Sequence, residues 1–172
     1  MFKLLSTANP KIQKGTKKGY LSYILHLAPY TLSGLGNVCP KASPGCIAAC
    51  LNTAGRGGMF KRGENTNVIQ QARIRKTRLF FENRQAFFEA LHSDIEKAIK
   101  QSDKLGLTPV FRLNGTSDLS FEKYNYSIDG KEYKNIFDAF PDVQFYDYTA
   151  IAGRKVANIA NYHLTFSAKE NN

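Results

Sequence analysis

Apolar and polar positions along this chain switch between the two-residue period of a strand and the longer period of a helix. Leu21–Leu27 (LSYILHL) is a short apolar run rich in β-formers, bounded by Gly19 and Pro29, and reads as a buried strand. Tyr30 to Met59 carries Gly, Pro, Ser and Asn without a sustained period and reads as a loop. A helix is expected from about Glu64–Asn67 to Phe81, with Val68, Ala72 and Leu79 on one side and a strongly basic opposite side. Asn83 is a good cap for a second helix, in which Phe87, Phe88, Leu91, Ile95, Ala98 and Ile99 recur at helical spacing until Gly106.

Downstream the elements shorten. Pro109–Leu113 reads as a strand broken at once by Asn114-Gly115. Ile136–Phe140 is a short helix stopped by Pro141, and Tyr124–Lys134 a surface hairpin turning at Asp129-Gly130. Val143–Thr149 and Tyr162–Ser167 are further strands. Strands alternating with helices predict right-handed crossovers, hence one α/β domain over residues 1–172 with a mainly parallel sheet of βα units. In such sheets the chemistry lies beyond the carboxyl ends of the strands. Here those ends lead to the cysteine loop of residues 30–60, to Asn114–Asp118, to Asp147–Thr149, and to Ser167, Lys169 and Glu170.

The cysteines carry the sharpest chemical signal. Cys39, Cys46 and Cys50 fall within one loop, and their odd number argues against a disulfide framework. Cys46 and Cys50 are four apart, so a helical turn would stack their sulfurs on one face. Three thiolates leave one position of a tetrahedral metal, or one iron of a [4Fe–4S] cluster, without a cysteine. A zinc site would have to recruit a histidine, with His26 the candidate, whereas His92 reads as structural. Buried free thiols are the plain alternative. Asn114, Gly115, Thr116 and Ser117 are candidates for polar contacts to a cofactor, and Asp118, Asp147 and Tyr148 are the candidate catalytic residues facing a substrate. The plain alternatives are a tight turn with a helix cap, and strand-end packing.

Charge widens the field of partners. The net charge of +10 attracts polyanions at long range. Eight Lys or Arg lie between Arg56 and Arg84 against Glu64 and Glu82. Arg73, Arg75, Lys76 and Arg78 on the first helix are therefore candidate contacts to nucleic acid, the alternative being a solvated face. Residues 1–20 form a basic N-terminal segment with Lys11, Lys14, Lys17 and Lys18. No apolar run reaches the ~18 residues that span a bilayer, and the N-terminus has no signal-peptide stretch, which places the protein in the cytosol.

The phrases LAPYTLSGLGNVCPKASPGCIAACLNTAGRG, ARIRKTRLFF, FRLNGTSDLSFE and FYDYTA resemble the gene product 88-like group of bacteriophage proteins. The resemblance implies expression in the cytoplasm of a bacterial host cell. The three-cysteine loop after a first strand is similar to that of radical S-adenosylmethionine enzymes, which hold a [4Fe–4S] cluster at the mouth of a β/α barrel. The spacing differs from their CxxxCxxC signature, being six residues then three. That similarity implies a cluster on Cys39, Cys46 and Cys50 that binds S-adenosylmethionine, and a fold of about half a TIM-like barrel. Such a half-barrel would be either a chain truncated at its C-terminus or a natural half. Its sheet edges invite a second copy or a separately encoded C-terminal half, unless the N-terminal segment and the hairpin cover them.

Overall fold

The computed structural model describes residues 3–7 and 15–170; the expected basic residues Lys11 and Lys14 lie outside these. The chain forms strand β1 (Leu5–Ser6), β2 (Tyr20–Leu25), a one-turn helix α1 (Pro44–Ala48), and helices α2 (Val68–Glu82) and α3 (Arg84–Lys104). There follow β3 (Thr108–Arg112), the hairpin β4 (Tyr126–Ile128) and β5 (Lys131–Tyr133), α4 (Ile136–Ala139), β6 (Gln144–Thr149) and β7 (Tyr162–Phe166).

Five strands make one sheet in the order β1-β2-β3-β6-β7. β1 pairs antiparallel with β2, and the other pairings are parallel. The α/β reading with a mainly parallel sheet therefore holds at that level. The expected βα repeat does not. The β2–β3 crossover carries the two long helices, whereas β3 reaches β6 through a hairpin and one helical turn, and β6 reaches β7 with no helix at all. Residues 150–161 run instead as a series of turns, with Gly153 in the left-handed conformation at φ 69°.

Capping sets the helix boundaries. The Asn67 side chain accepts from the N–H groups of Ile69 and Gln70, opening α2. Asn83 accepts from the Ala86 N–H and opens α3 in the same way. Gly106, at φ 63°, takes the left-handed conformation that ends α3. At the hairpin tip Asp129 and Gly130 both have positive φ, the backbone of a type I′ turn.

Phe87, Phe88, Leu91, Ile95 and Ala98 bury one stripe of α3 in a core shared with Tyr23, Leu25, Phe111 and Phe145 of the sheet. Seven phenylalanines are almost fully buried there, many in edge-to-face pairs such as Phe80 with Phe87. β6 alternates: Phe145, Asp147 and Thr149 are buried, while Gln144 and Tyr148 are exposed. One sheet face is thus packed, and the other carries the exposed Tyr20, Gln144, Tyr148, His163 and Thr165. Among the described residues no helix is long and apolar enough to cross a membrane.

Candidate functional site

The carboxyl ends of the four parallel strands surround a cavity of about 250 Å3 bordered by Cys39, Cys46 and Cys50, by Asn114–Asp118, and by Tyr148, Thr149, Ser167 and Lys169. The structure thereby brings together most of the residues singled out from sequence. Asp147 is the exception among the strand-end candidates: it is buried behind the cavity and does not border it.

The cysteine loop is stitched to a different neighbour at each stage. Near its start the Asp118 N–H donates to the Val38 carbonyl at 2.8 Å, and the Cys39 thiol donates to the Thr116 carbonyl at 3.7 Å. In the middle, Ser43 caps α1 and Gly45 N–H donates to Glu170 Oε1 at 3.0 Å. Next to it Lys169 Nζ donates to Cys46 Sγ at 3.1 Å. After Cys50, Arg73 donates to both the carbonyl and the side-chain oxygen of the buried Asn52. The loop is held to the ends of β3 and β7 and to α2.

The expected stacking of Cys46 and Cys50 on one helical face does not occur. The last bond of α1 runs from Ala49 N–H to the Gly45 carbonyl, and Cys50 lies beyond it in extended backbone. All three cysteines are half-buried and none is in a disulfide. Burial above all, helped by the nearby Cys50 and Cys46 and opposed by the Tyr30 N–H, pushes the Cys39 thiol up to about 11. Sulfurs sharing one tetrahedral zinc lie within about 4 Å of each other. Among the described residues no three His, Cys, Asp or Glu side chains are gathered to hold a single ion in that way.

His26 does not supply a fourth ligand to the cavity, since it does not border it. Burial, then the charges of Arg73, Lys76 and Arg112, lower it to about 4. His92 is buried, with a ring nitrogen 2.9 Å from the Tyr126 hydroxyl, in the structural role expected.

The NGTSD turn spends most of its polar groups on itself and its neighbours. Asn114 accepts from Ser117 and from the Leu119 N–H, and donates to the Leu119 carbonyl and to Asp147. Gly115 has a necessary place, because a Cβ there would lie 2.7 Å from the Leu25 carbonyl oxygen. Thr116 donates its hydroxyl to the Leu27 carbonyl. Asp118 accepts from the Ala150 N–H at 2.8 Å and from Arg154 at 3.3 Å. Arg154 is itself buried and also holds Glu122 at 2.6 Å. Sequence reasoning missed this brace, in which Arg154 reaches back more than thirty residues to Asp118 and Glu122. It also missed Arg112, which borders the cavity; a lone charge in the apolar strand PVFRL was the available signal.

The four basic candidates of α2 do not share one solvent face. Arg73 and Lys76 are half-buried, the first on Asn52 and the second donating to the Leu4 carbonyl at 2.6 Å. Arg75 and Arg78 are exposed, and Arg78 also donates from Nε to the Ser33 carbonyl. The reason is helical phase: residues 73, 76, 77 and 80 fall on the side that packs inward.

Neither the curated proteins nor the solved structures contain a match to the chain. The family model described as Gene product 88 matches residues 3–172. The chain belongs to the gene product 88 family of bacteriophage proteins.

Proposed function

We propose that the protein is an iron–sulfur protein in which Cys39, Cys46 and Cys50 hold a [4Fe–4S] cluster in the cavity at the strand ends. The observation that carries this reading is three unpaired thiols of one loop bordering one cavity. Each cysteine of a cubane cluster binds its own iron, so its sulfurs spread around a space and do not converge on a point. That suits this arrangement better than a single zinc does. When bound, the cluster would supply an iron free of cysteine, open to a small-molecule ligand such as S-adenosylmethionine. The chain's own part is to fix the loop: Thr116, Glu170 and Asn52 anchor it, and Lys169 places a cation beside Cys46. Purification without oxygen, with a visible spectrum and iron, sulfide and zinc analysis, tests the reading. A brown protein with iron and acid-labile sulfide, lost in Cys→Ser variants, is expected. A colourless protein, with zinc or with no metal, overturns it.

The fold supports an extension. Four parallel strands in chain order, β2-β3-β6-β7, are what supports a half β/α barrel, which here has no long helix after β3 and no helix after β6. His163, Thr165 and Phe166 are exposed on the edge strand β7, where a second copy or a separately encoded half would pair and enclose the cavity. Light scattering on metal-loaded protein is expected to give a dimer mass. A sharp monomer mass with the metal retained excludes the homo-oligomer.

A further inference from the structure

We propose that Arg112, beside Tyr148, is the recognition point for a small oxyanion, a carboxylate or phosphate group, in the cysteine cavity. The inference rests on the proposed reading for the cavity being a ligand site, and not on the cluster.

Arg112 ends the central strand β3, between β2 and β6. Its side chain is 23% exposed, and its Nε is buried without a hydrogen-bond partner. Two contacts hold the guanidinium. Its carbon sits 5.0 Å from the centre of the Tyr148 ring, and Nε is 3.9 Å from Asp147 Oδ1, beyond hydrogen-bond reach. Asp147 is already engaged by the Asn114 N–H and amide and by the Tyr162 hydroxyl. A guanidinium at the cavity whose Nε meets no hydrogen-bond acceptor among the described residues is suited to an acceptor brought by a ligand.

The surroundings select the sign. Lys41 and Lys169 also border the cavity, and Asp118 is the acidic residue of its lining. Both Asp118 oxygens are taken, one by the Ala150 N–H and the other by Arg154. A guanidinium fork matches the two oxygens of a carboxylate or a phosphate, which an ammonium does not. Tyr148 is 49% exposed beside it and offers a ring edge to the rest of the ligand. The cavity, at about 250 Å3, falls just under the range of about 300–1,000 Å3 that holds drug-sized molecules, so the ligand is small.

The test uses the full chain without metal and follows arginine Nε–H signals in proton–nitrogen NMR spectra. Inorganic phosphate and glutarate are titrated separately, with chloride at matched ionic strength as control. The Arg112 signal, assigned by its loss in Arg112→Lys, is expected to shift saturably with at least one of the two anions. Which anion does so identifies the group. Arg112→Lys and Arg112→Gln should each weaken binding at least about tenfold, and Arg75→Gln should leave it unchanged. If one Arg112 variant fails to fold, the other assigns the signal, and the wild-type Arg112 shift decides. No saturable shift, or equal affinity in a folded Arg112 variant, overturns the proposal. Metal analysis of the wild type and anion binding by a variant with all three cysteines replaced by Ser separate the two readings: anion binding retained in the variant, with a wild type that carries no iron, leaves this inference standing and removes the cluster. A cluster-bearing protein whose Arg112 ignores both anions does the reverse.

Discussion

The backbone N–H of Asn114 donates to Asp147 Oδ1 at 2.8 Å, and its side-chain amide reaches Oδ2 at 3.3 Å, which locks the turn after β3 onto β6. Both residues are almost fully buried, so the pair works without water. Asn114→Ala keeps the first bond, loses the second, orphans the buried Leu119 N–H, and leaves the Leu119 carbonyl with only Arg154 at 3.4 Å. The expected loss is about 2–4 kcal/mol of stability. Urea unfolding measures it; a loss below about 0.5 kcal/mol would show that the turn holds itself.

The acid limb of the stability curve should be a near-cancellation of two opposed groups. Burial raises Asp147 from 3.8 to about 7, against the opposing pull of the Asn114 N–H and of Arg112. The folded protein therefore holds that proton more tightly than the unfolded chain does. Its contribution is full below about pH 4 and lost as pH rises through about 7. His26 runs the other way, lowered by burial from 6.5 to about 4. Its contribution is full above about pH 6.5 and lost as pH falls through about 4. Asp147→Asn should thus make the melting temperature fall more steeply on acidification than in wild type, and His26→Gln should make it rise. Parallel melting curves for all three proteins between pH 4.5 and 6.5 would refute the assignment.

Arg73 is expected to be a loop anchor and not a nucleic-acid contact. Arg73→Gln removes both bonds to Asn52 and should speed limited proteolysis in residues 51–58, while leaving nucleic-acid affinity nearly unchanged. Arg75 and Arg78 remain as the exposed cations of the four, so any polyanion binding through this set should show a log–log salt slope of no more than about two. A steep salt dependence that Arg73→Gln flattens would restore the original four-residue surface.

The elements with strong local signals were legible. The start of α2 near Asn67, Asn83 as a cap, the Phe87–Ala98 stripe and the Asp129-Gly130 turn are decided by neighbours in sequence, and each sits within a residue or two of its expected place. The convergence of strand ends was also legible, because parallel topology follows from element order. What escaped was set by partners distant in the chain. β1 is two residues long, and its Leu4 and Leu5 N–H groups are held by Asp94 some ninety residues away. The inward turn of Arg73 and Lys76 depends on Asn52 and Leu4, which no periodicity within α2 announces. Asp147 looked accessible because it ends a strand, yet Asn114 and Tyr162 close over it.

The strand order has a consequence for how the chain reaches this state. From β1 to β7 every pairing in the main sheet joins a strand to the next main-sheet strand in sequence, so no finished pair must part to admit a latecomer. The sheet can grow from one edge as a chain leaves the ribosome, β3 closing on β2 once α2 and α3 have formed, then β6, then β7. Asp118, which donates to Val38 of the cysteine loop, and then Lys169 and Glu170 add their ties to that loop in the same order. The loop is synthesised early and fastened late, since its ties to Lys169 and Glu170 wait for the last strand.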